Sequence, residues 1–521
     1  MNEPTKKSRG WRILRWGLIG FAIFITLAAV FHTEENWRGW QAWQKFKQQA
    51  EASGEKLDFA SIIPPPVTDE QNFALAPIVA SAYSGSLDKL GNIIVPPKTN
   101  VINRLDMDIR LGVSGHTALA NTSGSWAKGA TTDLKKWQRF YREAANPTNG
   151  ILVSPEPQSP AADVLLALSK YDSNIDELRQ ASRRPLSRFP LNYDSKNPFA
   201  ILLPHLTMRK CAQILQLRTL AELELGQSEK ALADIKLSLR VMDSIRSEPF
   251  LISHLVRMAE LQILLQPVYE GLAKHQWSDA ELVELDRELS KLDFLADCQS
   301  SMRGERNAAL AMIDSMRRNG NAYESLTIIQ QIQGNDSTVK FRKILGSVIF
   351  LATPHGWFWL NEVAIGDMHQ RWTLQMNDRA RQLFHPKLAR EADDYLRHLP
   401  RRPWNLFAAL IMPAITPMQQ KFGYSQNAVN MARGACALER FRLAHKEYPN
   451  SLDLLSPRFM DPVPHDVIGG QPLKYRRTDD GRFALYSLGW NETDEGGKVG
   501  LDKKGSLDMK TGDWVWEYPA P

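Results

Sequence analysis

Apolar residues recur every three or four positions through the middle of the chain, a spacing that predicts amphipathic helices. Ala162–Leu178 places Leu165, Leu168, Tyr171, Ile175 and Leu178 on one face. The same spacing predicts helices at about 206–225, 228–246, 250–273, 278–291 and 296–318, then at 323–333, 337–352, 358–384 and 387–398. A helix over Asp133–Ala144 opens on a cap in Thr131-Thr132-Asp133. Gly226 punctuates the 206–246 pair, and Ala231, Leu232, Ile235 and Ser238 fall where a helical repeat wants small or apolar residues. Such repeats need about three copies to bury a continuous core, and no second copy follows. A helical hairpin is expected there.

The longest uncharged run is Trp16–Phe31, WGLIGFAIFITLAAVF. Starting at Trp11, the 21 residues to Phe31 reach about 31 Å as a helix. That matches a hydrocarbon core of about 30 Å. Lys6, Lys7, Arg9, Arg12 and Arg15 precede the run, and Glu34 and Glu35 follow it. This asymmetry predicts a single-pass anchor in a bacterial inner membrane, with the N-terminus cytoplasmic and the body periplasmic or otherwise extracytoplasmic. A cleaved signal peptide is the rival; its apolar region would be long, and Ala28–Val30 is a poor cleavage site. Beyond the run, Trp37, Trp40, Trp43 and Phe46 fall on one helix face. They read either as an interfacial belt or as packing against the body. Ile344–Ala352 and Leu406–Ile415 are too short to cross and read as buried helices.

Charge changes the picture only locally. The net charge is +6, and the first 16 residues supply +4 of it, so the rest carries +2. No basic stripe marks a nucleic-acid face. Three cysteines, Cys211, Cys298 and Cys436, have no metal or redox spacing and read as buried apolar residues. Pro64, Pro65 and Pro66 stiffen the chain after the anchor, and the stretch of about 90–132 is rich in turn residues.

The last 110 or so residues change character. A helix at about 425–447 leads to short strands near Leu473–Arg477 and Phe483–Leu488, with Asp479-Asp480-Gly481 as the turn. The expected fold class is therefore mainly α: a transmembrane helix (1–33), a large irregular helical body (34–404), and a small α+β module with a short antiparallel sheet (405–521).

That module resembles the headpiece of a type II secretion major pseudopilin. The matching residues are Tyr448-Pro449, Leu452, Leu455, Asp466, Gly469 or Gly470, Pro472, Tyr475, Tyr486-Ser487-Leu488-Gly489, Gly496-Gly497 and Gly512-Asp513-Trp514. Ala408–Ala414 is similar to the end of a pseudopilin's apolar helix. The whole chain also resembles single-pass bacterial membrane proteins that end in this module. The pseudopilin resemblance implies calcium as cofactor, on a loop after the last strand. The implied ligands are the Leu488 carbonyl, Asn491, Asp494, Asp508 and Asp513. Calcium takes six to eight oxygen ligands, carboxylates and carbonyls among them. Asn491 stands where the family has Asp. Lys498, Lys503, Lys504 and Lys510 offer the alternative of a solvated loop neutralised by its own cations.

Motifs for phosphate loops, dinucleotide folds, nucleophile elbows and zinc proteases are missing from the sequence. His205, His254, His355, His385 and His465 are scattered, and Pro354-His355-Gly356-Trp357 is the most unusual setting. Glu143 lacks a partner carboxylate in sequence. No catalytic residue is assigned. The expected function is a non-enzymatic envelope scaffold with a protein partner and a membrane, and without nucleic acid. The alternative is an envelope enzyme whose site is assembled from distant residues of the helical body.

Overall fold

One helix, α1 (Arg9–Ala52), carries the chain from the apolar segment into the body without a break. Its 44 residues span about 66 Å. The computed structural model describes residues 9–83, 102–110, 123–146, 150–191, 205–319, 353–415 and 417–518. The helices expected at 323–333 and 337–352, with the apolar patch Ile344–Ala352, lie outside these. Among the described residues, α1 alone is long and apolar enough to cross a membrane, and the most apolar stretch of it is not buried by the body. The expected anchor and body are thus joined by continuous helix.

Two cores organise the rest. The first gathers α2 (Pro77–Ala80), α3 (Leu134–Ala144), α4 (Pro160–Leu168), α5 (Asp172–Ala181), α6 (His205–Glu224) and α7 (Ser228–Asp243). Local sequence explains their ends. Asp133 caps α3 by accepting from the Lys136 N–H, and Ser159 caps α4 ahead of Pro160. Gly226, at φ 73°, turns α6 into α7. The single helix expected at 162–178 breaks at Ser169–Tyr171, where the Tyr171 hydroxyl is held by the backbone of Asp108.

The second core contains α8 (Leu251–Ala273), α9 (Asp279–Leu289), α10 (Phe294–Asn319), α11 (His355–Met368) and α14 (Met418–His445). A capping box, Ser278 with Glu281, opens α9. Between α11 and α14 lie α12 (Pro386–His398) and α13 (Leu406–Ile415), the latter helical as expected and half-buried. The helix expected over 358–384 stops at Met368. A wide turn at His369–Thr373 follows, then a two-stranded hairpin, β1 (Asn377–Asp378) and β2 (Leu383–Phe384). Tertiary bonds override propensity there: Asn377 donates to the Leu295 carbonyl, and the Phe384 N–H donates to Val467.

The C-terminal strands are β3 (Lys474–Arg477), β4 (Phe483–Ser487), β5 (Val499–Leu501), β6 (Leu507–Gly512) and β7 (Trp514–Glu517). β3, β4 and β7 form an antiparallel sheet in that order, with β5 and β6 as a separate hairpin. The fold class is mainly α, with short antiparallel sheets near the C-terminus, as expected. The sheet shares its core with α8–α10. Trp126 packs on Tyr424 and Trp516, and the Tyr269 hydroxyl donates to the Glu517 carbonyl.

α1 and α11 run parallel and touch backbone to backbone. A methyl group on Gly356 would lie 1.8 Å from the Glu35 carbonyl oxygen, and one on Gly39 would lie 2.1 Å from that of Gly356. Higher up, the Phe46 ring sits against Gly366. The aromatic face divides: Phe46 is buried and Trp43 half-buried, while Trp37 and Trp40 stay 59% and 47% exposed. Gly356→Ala should therefore destabilise the full chain by about 1–3 kcal/mol through overpacking. Thermal melting in detergent reads this out, and an unchanged midpoint would contradict the close approach.

Candidate functional site

The loop after β4 is held by a buried polar tripod on α14. Asn427 donates to Asp466 (2.7 Å) and to the Ser487 hydroxyl (2.9 Å), and accepts from the Val467 N–H (3.0 Å). Asp466 in turn accepts from the backbone of Ile468 and Leu488. Most buried polar groups find such partners, and here they fix where the loop leaves the sheet. Gly489 (φ 71°) then turns the chain past Gly512, whose carbonyl leaves no room for a side chain.

The loop brings two carboxyls together. Asp513 is fully buried and accepts from the Gly497 N–H at 2.6 Å. Its Oδ1 is buried, as is Oε2 of Glu495, and neither has a partner beyond the other carboxyl and the Glu495 backbone. Asn491 donates to the other Glu495 oxygen at 2.7 Å. Burial, with the Glu495 carboxyl beside it, pushes Asp513 up to about 6. Two adjoining acids repel unless a proton or a cation sits between them.

The implied ligand set is only partly gathered. Asn491 and Asp513 flank Glu495. Asp494 points to the sheet, where it accepts from the Tyr486 hydroxyl and pairs with Lys474 at 3.7 Å. Asp508 closes its own turn through the Lys510 N–H and the Thr511 hydroxyl. The Leu488 N–H is fixed by Asp466, at the entrance to the loop. The loop does not follow the last strand as expected: β7 comes after it, and Asp513 lies between β6 and β7. Glu495 is the residue that sequence reasoning left out. The run Asp494-Glu495-Gly496-Gly497 held the signal, since neighbouring side chains in an extended segment point to opposite sides. Among the described residues, no cluster of three or more His, Cys, Asp or Glu is arranged for a metal. Any cation here would draw its remaining oxygens from the amide, carbonyls and water.

A second buried polar group lies on α8. Arg257, fully buried, bridges Asp297 and Asp243 (2.6 Å to the latter). Glu260, one turn on, is buried with neither carboxylate oxygen partnered, and burial pushes it up to about 8. His254 is driven down to about 4 by the same burial. A neutral, sealed histidine has no substrate to reach. The other histidines stay apart: His355 opens α11 in solvent, His385 precedes α12, and His465 meets the Gln382 carbonyl. Glu143 lines an open cavity of about 530 Å³ between α3 and α4, with Lys135, Arg139 and Arg142. All three cysteines are buried and unpaired.

No family model, curated protein or solved structure matches this chain.

Glu260 carries a pH signature. Its folded value of about 8 exceeds the ordinary 4.5. The folded state therefore holds the proton more tightly, and stability falls as pH rises from about 4.5 through 8. Glu260→Gln should flatten that fall, raising the melting midpoint at pH 9 more than at pH 5. An equal shift at both pH values would contradict it.

Proposed function

We propose that this is a single-pass, non-enzymatic envelope protein of a bacterial inner membrane, whose C-terminal module is locked by calcium and presented to a protein partner. One observation carries the reading. Asp513 Oδ1 and Glu495 Oε2 are buried against each other, with no basic side chain paired to either. A divalent cation supplies what they lack, and calcium suits an oxygen-only set completed by amide, carbonyl and water. The ligands proposed are Asp513, Glu495 and Asn491, with the Leu488 carbonyl at the loop entrance. The resemblance to a pseudopilin headpiece points the same way: a long helix, α14, lies across a small antiparallel sheet. The charge asymmetry about α1 supports a cytoplasmic N-terminus and an extracytoplasmic body.

The full chain should melt higher in calcium than in chelator, by about 2.7 kcal/mol of stability at a hundred times the dissociation constant. Asp513→Asn and Glu495→Gln should each abolish most of that difference, while Asp508→Asn should leave it. Below pH 6, protons compete for Asp513 and the calcium effect should fade. Identical midpoints with calcium and chelator at pH 7.5 would sink the proposal.

Topology has its own test. A periplasm-dependent reporter fused after residue 60 should be active and a cytoplasm-dependent one silent. The reverse pattern would overturn the orientation.

A further inference from the structure

The level at which α1 leaves its apolar segment is also the level at which α11 begins. Phe31 packs edge-on against Trp357 at 6.3 Å, and the Trp357 indole N–H donates to Glu35 at 2.7 Å. The connection between α12 and α13 comes down to the same level. Trp404 lies 6.1 Å from Trp357, with the Arg38 and Arg402 guanidiniums over its ring at 5.7 and 5.4 Å. From Phe31 to Arg38 the helix rises about 10 Å, roughly one headgroup layer. Tryptophan and arginine are the side chains that settle in that layer.

A cleft of about 410 Å³ opens beside this connection. Leu396, Leu399 and Ala409 form its apolar wall, and Arg397 and Arg401 its charged edge. Both arginines are exposed, and neither has an acidic partner among the described residues. Asp393 lies on the wall and pairs with neither. The sequence Arg397-His398-Leu399-Pro400-Arg401-Arg402 thus puts three guanidiniums within six residues, next to an interfacial tryptophan. Glu34 is the exposed acid on the α1 side. Guanidinium forks match phosphate oxygens geometrically and in charge.

We infer that this cleft binds the headgroup of an anionic phospholipid from the leaflet into which α1 emerges. Arg397 and Arg401 hold the phosphate. The apolar wall takes the first carbons of the acyl chains, and Trp357 and Trp404 seat the body on the bilayer. The inference rests on the reading of α1 as a span. It adds a lipid-specific site on the body, distinct from the calcium loop.

The test uses the full chain in detergent, with phosphatidylglycerol or phosphatidylcholine added and bound lipid counted by native mass spectrometry. Phosphatidylglycerol should be retained and phosphatidylcholine not. Arg397→Gln and Arg401→Gln should each weaken retention about fivefold, with the melting midpoint of the protein unchanged. Arg401→Lys keeps the charge but loses the fork, so it should fall between. Equal retention of the two lipids overturns the inference, as does a double variant that binds like the parent. A double variant that loses a crosslinked acidic protein while keeping its lipid assigns the cleft to protein, and overturns it too. Alkaline extraction of membranes separates the premise: release of the full chain sinks the span, whereas a retained chain without lipid preference sinks only the cleft.

Discussion

The backbone contact between α1 and α11 at Gly39 and Gly356 sets the frame for everything else. Helices that approach this closely exclude all but glycine at the crossing, and the contact is rigid because side chains do not mediate it. Asn36 reinforces it by accepting from the Gly356 N–H at 2.8 Å. A helix of about 66 Å, fastened in this way, transmits the tilt of its apolar half to the body. The body then holds one orientation toward whatever surrounds the apolar half. The aromatic and basic residues near Trp357 lie where that orientation puts them.

The second constraint is electrostatic. Several carboxyls are buried without a cation at contact distance, and burial raises Glu260, Glu362 and Glu305 toward or past neutrality. By contrast, Glu439 is buried among His275, Arg442 and the Tyr448 hydroxyl; its own burial opposes ionisation, yet these donors hold it below the ordinary range. The difference is the donor set, not depth. Asp513 falls between these cases. It has a backbone donor on one oxygen, and the other faces the Glu495 carboxyl with no cation beside it.

Most helices were legible because their signals are local. Asp133, Ser159, the Ser278–Glu281 box and Gly226 mark ends that depend on a few neighbouring residues. The failures fall where distant groups decide. Nothing near Asn377 announces that α10 will capture it, and nothing near Tyr171 announces Asp108. In the loop, sequence supplied six acids within 23 residues but not which way each one faces. Asp494 was drawn off by Tyr486 and Lys474, while its neighbour Glu495 turned inward. β7 went unread because Trp514-Val515-Trp516 is a short run without alternation, as expected for a strand buried on both faces.

The position of β7 bears on how the chain is made. Tyr269 and Glu517, which are hydrogen-bonded, are 248 residues apart. Trp516 packs on Tyr269 of α8 and Trp514 on Tyr424 of α14, so these helices wait for β7 with apolar surface uncovered. α1 by contrast emerges early. Synthesis therefore imposes an order: the apolar helix is available first, and the core closes only when β7 arrives. During that interval the nascent body presents the sort of surface that holding chaperones bind, and any block before β7 leaves an open-cored chain.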